Sequence, residues 1–375
     1  MNFEFSEDQK ALGAQARRFL ADKCPPAAVR AVLEGSQAYD AALWRGLADM
    51  GFLGIVVPEA YGGLGLSYLE LCVVAEELGR VLAPVPFSSS VFLATEFLLA
   101  AGDEAQKTAW LPRLCSGEAI GAFAHAEMAG AVTPKAVQLV AADGALTGTK
   151  NAVADGEIAN FAIVSARSAA GSDARGISLY LADLSGEGVK RTPQETIDPS
   201  RGHASLTFDR APATLLGAAG EGWSIIERVL DRAAVLTAFE QIGGADRALE
   251  MARDYALERM AFGRPIGSFQ AIKHMLADMY VSATLARSNG YYGAWALSTG
   301  SSELPQAAAS ARVAATQAFQ HCAKNNIQVH GGMGFTWAFD CHLFYRRSNL
   351  LALNLGPQSH WENKLIQRLR ARNAA

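Results

Sequence analysis

The chain has 375 residues, more than a single hydrophobic core usually supports, so we expect two or three domains. Hydrophobic residues make up 50% of it and charged residues 19%, which is typical of a soluble globular protein. A formal net charge of −4 excludes the basic excess of a nucleic-acid-binding protein, and no uninterrupted apolar run is long enough to predict a membrane span.

The five cysteines are far apart and form no Cys-x-x-Cys pair. They therefore indicate neither a zinc site nor a disulfide framework, and they fit a reducing cytoplasm. Residues 1–5 have neither the basic nor the apolar region of a secretory signal. We therefore expect a cytoplasmic protein.

Residues 1 to about 115 predict helices. Ser6 is a plausible N-cap for the first helix, because acidic residues follow it, and Gly51 ends the second. Glu76 and Glu77, near the end of the third, predict a solvated or ion-paired edge. After the first helix, helices are predicted at 40–50, 68–82, 87–101 and 103–114.

From about Gly121 to Ala218 the pattern changes to short apolar runs separated by turn residues. Asp143-Gly144 is a hairpin signal between two of these runs. The pattern predicts a small antiparallel barrel or sandwich, with strands at 136–141, 145–149, 159–166, 177–182 and 204–209.

Long helical patterns return after Gly222, at 223–257, 269–299, 303–330 and 340–354. The apolar stripe of the second favours either packing between subunits or burial in a core. The predicted fold is α+β and multidomain. It has an N-terminal helical domain (1–118), a central antiparallel β-barrel or sandwich (119–218) and a C-terminal four-helix bundle (219–375).

The segment 258–270 joins the first two of these C-terminal helices. Its glycine and proline residues break the helical period, so we predict a rigid turn at a helix–helix corner. Arg259, Arg264 and Gln270 either grip a phosphate there with fixed donors or lie solvated on the surface.

Three motifs resemble signatures of one enzyme family. Arg-x-x-Phe-Gly-x-Pro-Ile-x-x-Phe-Gln, at 259–270, looks like a signature of the acyl-CoA dehydrogenase family of flavoenzymes. Gln-x-x-Gly-Gly-x-Gly, at 328–334, resembles its second signature, and 51–54 with 58–65 match a third. The motifs follow the family's order, and the similarity covers nearly the whole chain.

The resemblance implies two helical domains around a β domain, and it implies FAD and a coenzyme A thioester as ligands. It implies removal of the α proton by a carboxylate and transfer of the β hydrogen to the flavin as hydride. It also implies a flavoprotein electron acceptor, a role in lipid metabolism and a tetramer, either a homotetramer or a heterotetramer with a paralogue.

In such relatives the two later motifs reach the FAD of a neighbouring subunit. A permanent, planar cation such as Arg259 suits a pyrophosphate. A Gly-Gly pair allows close backbone approach, although it can also simply end a helix. His330 beside it is expected to be packed or capping rather than a base. The resemblance assigns FAD binding to Arg259, Phe262, Gln270, Gln328, Gly331 and Gly332.

The middle domain departs from the family pattern. Relatives have Thr-Glu-Pro followed by Gly-Ser-Asp, whereas the run beginning at Ala126 has lost the threonine and serine hydroxyls. Backbone N–H groups at His125 and Ala126 can still serve the cofactor. Residues 150–156 replace a Trp-x-Thr shield with small residues, so we expect the flavin ring to be held less tightly or packed differently.

The catalytic base departs as well. Leu355 and Ala233 stand at the two positions where relatives place a carboxylate, and neither side chain accepts a proton. Glu240 lies two helical turns after Ala233 in an apolar stretch and is the remaining candidate. A structural ion pair, with Arg232 or Arg264, is the alternative for Glu240.

Residues 335–342 resemble a Phe-Thr-Trp-Glu-His-Asp run of a bacterial branch, with Ala338 and Phe339 in place of Glu and His. This indicates either an unusual acyl group or lost catalysis. Arg346 and Arg347 either meet coenzyme A phosphates or cap a helix. We therefore expect an FAD-dependent acyl-CoA dehydrogenase. The alternatives are a non-catalytic or half-site subunit of a heteromer and a flavin- or acyl-CoA-binding module with other chemistry.

Overall fold

The computed structural model describes residues 5–35, 37–130, 132–169, 171 and 173–374. Residues 1–4, on which the expectation of no secretory signal partly rests, lie outside this part. The α-helices, in chain order, are α1 (Glu7–Lys23), α2 (Pro26–Glu34), α3 (Ala41–Asp49), α4 (Tyr68–Arg80), α5 (Glu96–Ala101), α6 (Glu104–Cys115), α7 (Gly222–Glu258), α8 (Gln270–Ser298), α9 (Leu304–His330), α10 (Cys341–Leu353) and α11 (Gln358–Ala374).

The strands lie between α6 and α8. In chain order they are β1 (Gly121–Ala124), β2 (Val140–Ala142), β3 (Ala145–Ala154), β4 (Phe161–Arg167), β5 (Ile177–Asp183), β6 (Val189–Gln194), β7 (His203–Pro212), β8 (Thr214–Leu216), β9 (Met260–Ala261) and β10 (Arg264–Pro265).

The chain forms two compact units. We call the first the helical unit, which consists of Met1–Arg30, Tyr68–Ala83 and Ala234–Ala375. We call the second the sheet unit, which consists of Ala31–Ser67 and Pro84–Ala233. The three-domain division at 118 and 218 stays a prediction.

The first helix begins after its predicted cap. The Ser6 hydroxyl accepts a hydrogen bond from the Gln9 N–H, and the Gln9 side chain accepts one from the Ser6 N–H, which completes a capping box. The Asp40 side chain caps α3 by accepting the Leu43 N–H at 2.9 Å, and Gly51 follows that helix with a φ of 75°. Helix α2 was not predicted from the sequence.

The predicted helix at 87–101 is confirmed, but its first half is not an α-helix. Ser88–Thr95 winds as a π-helix, and only then does α5 begin. Side-chain hydroxyls compete for backbone groups here: the Ser89 hydroxyl bonds the Pro86 carbonyl, and the Ser90 hydroxyl accepts from the Gly121 N–H.

The central sheet is mostly antiparallel, as predicted, but it does not close into a barrel. Its strand order is β6-β7-β3-β2-β4-β5-β8, and β1 pairs with β4. Most pairs are antiparallel, but β1 and β2 both run parallel to β4. An apolar pattern fixes which face of a strand is buried, not whether the outer strands meet.

The hairpin at Asp143-Gly144 is confirmed. Both residues have positive φ, 52° and 73°, and they join the antiparallel strands β2 and β3. The strand predicted at 136–141 is largely wrong, because β2 begins only at Val140. Strands β1, β6 and β8 were missed because they are short or mostly polar.

Glu76 and Glu77 on α4 are buried and ion-paired rather than solvated. Arg287 of α8 binds both oxygens of Glu76 at 2.9 Å. Arg17 of α1 binds both oxygens of Glu77 at 2.7 and 2.9 Å, and Arg80 lies 3.8 Å away. These pairs connect three helices of the helical unit.

None of the helices in the described ranges is long and apolar enough to cross a membrane.

Candidate functional site

The turn between α7 and α8 is a β-hairpin in which a two-residue loop joins β9 to β10. Ala261 pairs with Arg264, and the residues between them, Phe262 and Gly263, have φ angles of 51° and 77°. Positive φ at both central positions matches the twist of the flanking strands. The predicted turn at this corner is therefore confirmed, and Phe262 lies at its tip.

Most side chains at this corner face outward. The Phe262 ring is 95% exposed, and Arg259 and Gln270 are exposed too. Arg264 differs, because its guanidinium lies over the Phe269 ring, 4.2 Å from the centroid. The corner presents an aromatic ring, a permanent cation and an amide at the first residue of α8, where helix N–H groups favour anions.

The end of α9 is a glycine turn with an open side. Gly331 has a φ of 59°, and its N–H donates to the Gln328 carbonyl. A Cβ on Gly331 or Gly332 would meet no atom within 4 Å, whereas one on Gly334 would lie 2.6 Å from the Ile327 carbonyl oxygen. Gly334 thus serves internal packing, while the backbone at Gly331 and Gly332 is open to a ligand.

Tyr255 brings the corner and the glycine turn together. Its ring stacks on His330 with centroids 4.0 Å apart, and its carbonyl accepts the Arg259 N–H at 2.8 Å. His330 is buried, contacts the Asn326 carbonyl through Nδ1 at 2.8 Å and has a pKa lowered by burial. The histidine is therefore packed, as expected. Sequence reasoning missed Tyr255, although it lies one helical turn before Arg259.

Glu240 lies elsewhere in the helical unit, nineteen residues before Arg259 along the α7 segment, or about 28 Å of helix. It is 5% exposed, and its Oε1 is 3.8 Å from Nη1 of Arg347. Arg347 is 1% exposed and donates to the Leu82 carbonyl at 3.2 Å. The carboxylate thus faces a buried cation on α10.

The partners suggested for Glu240 are wrong. Arg232 lies 3.0 Å from Oε2 of Glu96 in the sheet unit, and Arg264 stacks on Phe269. The ion-pair partner, Arg347, is about 107 positions away in the sequence and was instead considered for coenzyme A phosphates. Only the tertiary fold brings such distant residues together.

Leu355, at a position where the resemblance predicts a carboxylate, lies in a turn between α10 and α11 that several hydrogen bonds hold. Its φ is 62°, and its carbonyl accepts the Trp361 Nε1–H at 3.0 Å. The buried Arg312 donates to the Asn354 carbonyl at 2.6 Å and also to the Leu351 carbonyl. Burial lowers the pKa of Arg312 to about 10. The turn is built, but it carries a side chain that cannot take a proton.

In the sheet unit, Ala126 lies in a short loop after β1. Two residues of β3 donate hydrogen bonds to three successive carbonyls of this loop. The His125 carbonyl accepts from Nζ of Lys150 at 3.1 Å. The Ala126 carbonyl accepts from the Asn151 N–H, and the Glu127 carbonyl from the Asn151 side-chain amide, both at 2.7 Å. The loop is therefore fixed from one side.

The stretch that matches the family's aromatic shield, residues 150–156, contains a bulge in β3. The pairing of β3 with β7 shifts register between Lys150 and Val153. Ala152 lies in this bulge with a φ of 50°, is exposed, and donates its N–H to the Gln194 side chain at 2.8 Å. The bulge is ordered and presents only a methyl group.

The segment after the glycine turn forms a cation–aromatic cluster in the helical unit. Trp337 is 56% exposed, and the guanidinium groups of Arg30 and Arg346 lie 5.7 and 5.8 Å from its ring centroid. Arg30 also donates to Asp340 at 2.9 Å and to the Phe339 carbonyl at 3.1 Å. These contacts use part of the charge that phosphate binding would require.

Family models match most of the chain. The acyl-CoA dehydrogenase N-terminal domain matches residues 6–118, and the acyl-CoA dehydrogenase C-terminal domain matches residues 220–368. The chain is 33% identical to acyl-CoA dehydrogenase IpdE2 of Mycobacterium tuberculosis (strain ATCC 25618 / H37Rv) over 349 residues, which are 92% of this chain and 91% of that protein.

Solved structures agree. A glutaryl-coenzyme A dehydrogenase in complex with glutaryl-CoA superposes with a TM-score of 0.93 at 27% identity, covering 99% of this chain and 97% of that one. The ChsE4-ChsE5 complex from Mycobacterium tuberculosis gives a TM-score of 0.87 at 27% identity, covering 99% of both chains. This chain belongs to the acyl-CoA dehydrogenase family. It is an enzyme of the type that carries out FAD-dependent oxidation of acyl-CoA thioesters.

Proposed function

We propose that this chain is a subunit of an FAD-dependent dehydrogenase that converts an acyl-CoA thioester into its α,β-enoyl form. A base takes the α proton, the β hydrogen leaves as hydride, and the electrons of the α C–H bond form the double bond. Bound FAD supplies the hydride acceptor. The observation that carries the proposal is the outward-facing set formed by Arg259, Phe262, Gln270 and the open glycine turn.

The described residues fit FAD. Arg259 offers a permanent cation for the pyrophosphate, and Gly331 and Gly332 leave room for close backbone approach. We expect these helical-unit groups, with Gln328, to bind the FAD of a neighbouring subunit. In the sheet unit, backbone N–H donors at Ala126 suit the acceptor atoms of the flavin ring.

Glu240 stays a prediction as the base. Its burial excludes water from the carboxylate, which suits a general base. Its contact with the buried Arg347 suits a structural ion pair instead. Glu240→Gln separates the two roles: loss of turnover with retained flavin supports a base, whereas unchanged turnover removes Glu240 from the mechanism.

One observation favours a second function, that of a half-site subunit in a heteromer. The turn at Leu355 is held by Trp361 and Arg312 but carries no carboxylate. In this reading the chain supplies part of the FAD site, and a paralogous subunit supplies the base. A heteromeric relative of the same fold, the ChsE4-ChsE5 complex, makes such an assembly reasonable.

The assembly we propose is a tetramer, either homomeric or heteromeric. One side of α8 supports it, because Tyr280, Val281 and Leu285 are exposed apolar residues on that helix. We further propose a flavoprotein electron acceptor, a cytoplasmic location and a role in lipid metabolism. The replacement of polar residues at Ala338 and Phe339 favours an unusual acyl group.

The test is the visible absorption spectrum of the chain purified alone, incubated with FAD and desalted. Retained flavin near one per subunit supports a self-sufficient enzyme, and bleaching by acyl-CoA thioesters then identifies the substrate class. Absence of retained flavin contradicts self-sufficiency. Flavin retained only after co-expression with a paralogue carrying the missing carboxylate then supports the half-site subunit.

A further inference from the structure

Lys150 of β3 is a buried cation in the sheet unit. Its side chain is 0% exposed, and its ammonium nitrogen has three acceptors. These are Oε1 of Glu127 at 2.7 Å, the His125 carbonyl at 3.1 Å and the Ser165 hydroxyl at 3.1 Å. The charge is therefore paired and fully hydrogen-bonded, which is what makes its burial tolerable.

The same ammonium organises both ends of the loop. Glu127, which it neutralises, also accepts the N–H groups of Gln138 and Leu139 at 3.0 Å. The Ser165 hydroxyl, which it contacts, lies 2.8 Å from Nδ1 of His125. Removing Lys150 would leave the Glu127 carboxylate without its cation and loosen the loop at several points.

Holding a carbonyl also fixes the direction of the next N–H. A trans peptide is planar, and its C=O and N–H point in opposite directions. Lys150 and Asn151 hold the carbonyls of residues 125–127, so the N–H groups of residues 126–128 point away from β3. Within the described residues, the N–H groups of Ala126 and Glu127 have no hydrogen-bond acceptor.

We propose that Lys150 is a positioning residue that aims the N–H groups of Ala126 and Glu127 at the acceptor atoms of the bound flavin ring. This proposal rests on the proposed FAD site. Lys150 is the side chain on which the sheet-unit part of that site depends. Adjacent backbone donors held in one direction form an acceptor-binding concavity that does not need the missing hydroxyls.

Titration of Lys150 is consistent with this environment. Burial lowers its pKa to about 8, and the nearby Glu127 carboxylate opposes that shift. The loop therefore depends on a cation that is largely protonated at neutral pH.

The test compares Lys150→Met with Arg191→Met. Arg191 is a matched control, because it also clamps sheet-unit carbonyls, those of Leu184 and Glu157, but does not touch the loop. We call the contacts from Lys150 and Asn151 to the carbonyls of residues 125–127 the clamp. The Asn151 amide donates to the Ala126 carbonyl, so its rate of hydrogen exchange reports whether the clamp is intact, with no flavin needed. FAD titration, on whichever assembly retains flavin, reports its function.

We expect Lys150→Met to speed exchange at Asn151 and to weaken FAD binding, each by about tenfold to a hundredfold, because it removes bonds to a charged group. Arg191→Met should leave both unchanged. If Lys150→Met does not fold, Asn151→Ala removes one of the three carbonyl contacts and keeps the buried charge, so a smaller loss in the same direction is expected.

Unchanged exchange would overturn the clamp, and faster exchange with unchanged FAD affinity would overturn its role at the cofactor. Failure of the wild-type chain to bind FAD under any assembly contradicts the proposed function instead. The exchange result decides the clamp separately in that case.

Discussion

The helical unit and the sheet unit present their candidate site groups in different ways. In the helical unit they are residue-specific features at helix ends, such as Arg259, Phe262 and Gly331, and they face outward. In the sheet unit they are backbone N–H groups at Ala126, supported from behind by the buried Lys150. A side-chain site is lost when its residue changes, whereas a backbone site survives while its supports remain.

Because of this difference, the two departures from the family pattern, at Ala126 and at Leu355, have different consequences. The lost hydroxyls in the run beginning at Ala126 remove side-chain donors but leave the loop and its N–H groups in place. At 355, where the resemblance places a carboxylate, leucine offers no proton acceptor, and no backbone group can replace a carboxylate. The departure at 355 therefore bears more on the identity of the base than the departure at 126 bears on flavin binding.

The largest expected effect is a gain of function at Leu355. Leu355→Glu restores a carboxylate in a turn that Trp361 and Arg312 already hold. We expect the rate of α-proton abstraction to rise about 10²- to 10⁴-fold, the usual contribution of a positioned general base. Exchange of the α hydrogen of an acyl-CoA with deuterated water, followed by mass spectrometry on the flavin-loaded assembly, measures it.

Leu353→Glu is the control for that gain, because Leu353 is an exposed residue two positions earlier, at the end of α10. It adds the same charge without using the held turn and should leave the exchange rate unchanged. An equal rate in the wild type and in Leu355→Glu would contradict the prediction.

The next effect sharpens the comparison within the helical unit. Removing one partner of the buried Glu240–Arg347 pair leaves an uncompensated charge. We expect Glu240→Gln and Arg347→Met each to lower the free energy of unfolding by about 3–5 kcal/mol, and the double variant to lose less than the sum. Urea denaturation measures all three.

Glu250→Gln provides the comparison for that loss. Glu250 also pairs with an arginine, Arg80, but is partly exposed, so its substitution should lower the free energy of unfolding by only about 1 kcal/mol or less. Equal losses for Glu240→Gln and Glu250→Gln would mean that the Glu240 pair does not stabilise the interior.

The sheet unit predicts a specific pH dependence. The pKa of Lys150 is lowered from 10.5 to about 8 in the folded chain. Between these values the unfolded chain binds more protons, so the Lys150 contribution to the free energy of unfolding rises with pH, by about 3 kcal/mol in total. Below about pH 8 the lysine is charged in both states, and this contribution is flat.

Urea titrations of the wild type and Lys150→Met from pH 7 to 10.5 measure this contribution as a difference. Subtraction removes other groups that titrate nearby, such as Tyr292, whose pKa burial and Glu303 raise to about 12. Parallel stability curves for the two proteins would contradict the lowered pKa of Lys150.

The sequence was sufficient for local features of the fold. Caps such as Ser6, helix ends such as Gly51 and the Asp143-Gly144 hairpin depend on near neighbours, and the structure bears them out. The open sheet was not predictable, because closure depends on pairing between strands far apart in sequence. The π-helical stretch depended in the same way on hydroxyl contacts outside the local pattern.

The candidate site also has local features that the sequence predicts and tertiary features that it does not. The sequence motifs locate Arg259 and Gly331, but the Tyr255–His330 stack that joins their regions depends on two helices packing together. The partner of Glu240 was assigned to nearby or motif arginines and is Arg347. Lys150 was treated only as part of a replaced shield, because nothing in a single sequence says which lysine is buried beside a carboxylate.

The smallest expected effect tests whether the outward-facing side chains of the helical unit are needed for flavin. Arg259→Met removes a permanent cation from the corner and should weaken FAD binding by about tenfold to a hundredfold, the usual loss for a hydrogen bond to a charged group. Arg253→Met is the control, because Arg253 is an exposed arginine near the end of α7 that already pairs with its neighbour Asp254 at 2.7 Å. Quenching of flavin fluorescence measures both affinities, and unfolding should be unaffected because both arginines are exposed. Equal FAD affinity for the two variants would mean that the Arg259 guanidinium does not bind the cofactor and that other groups hold FAD without its help.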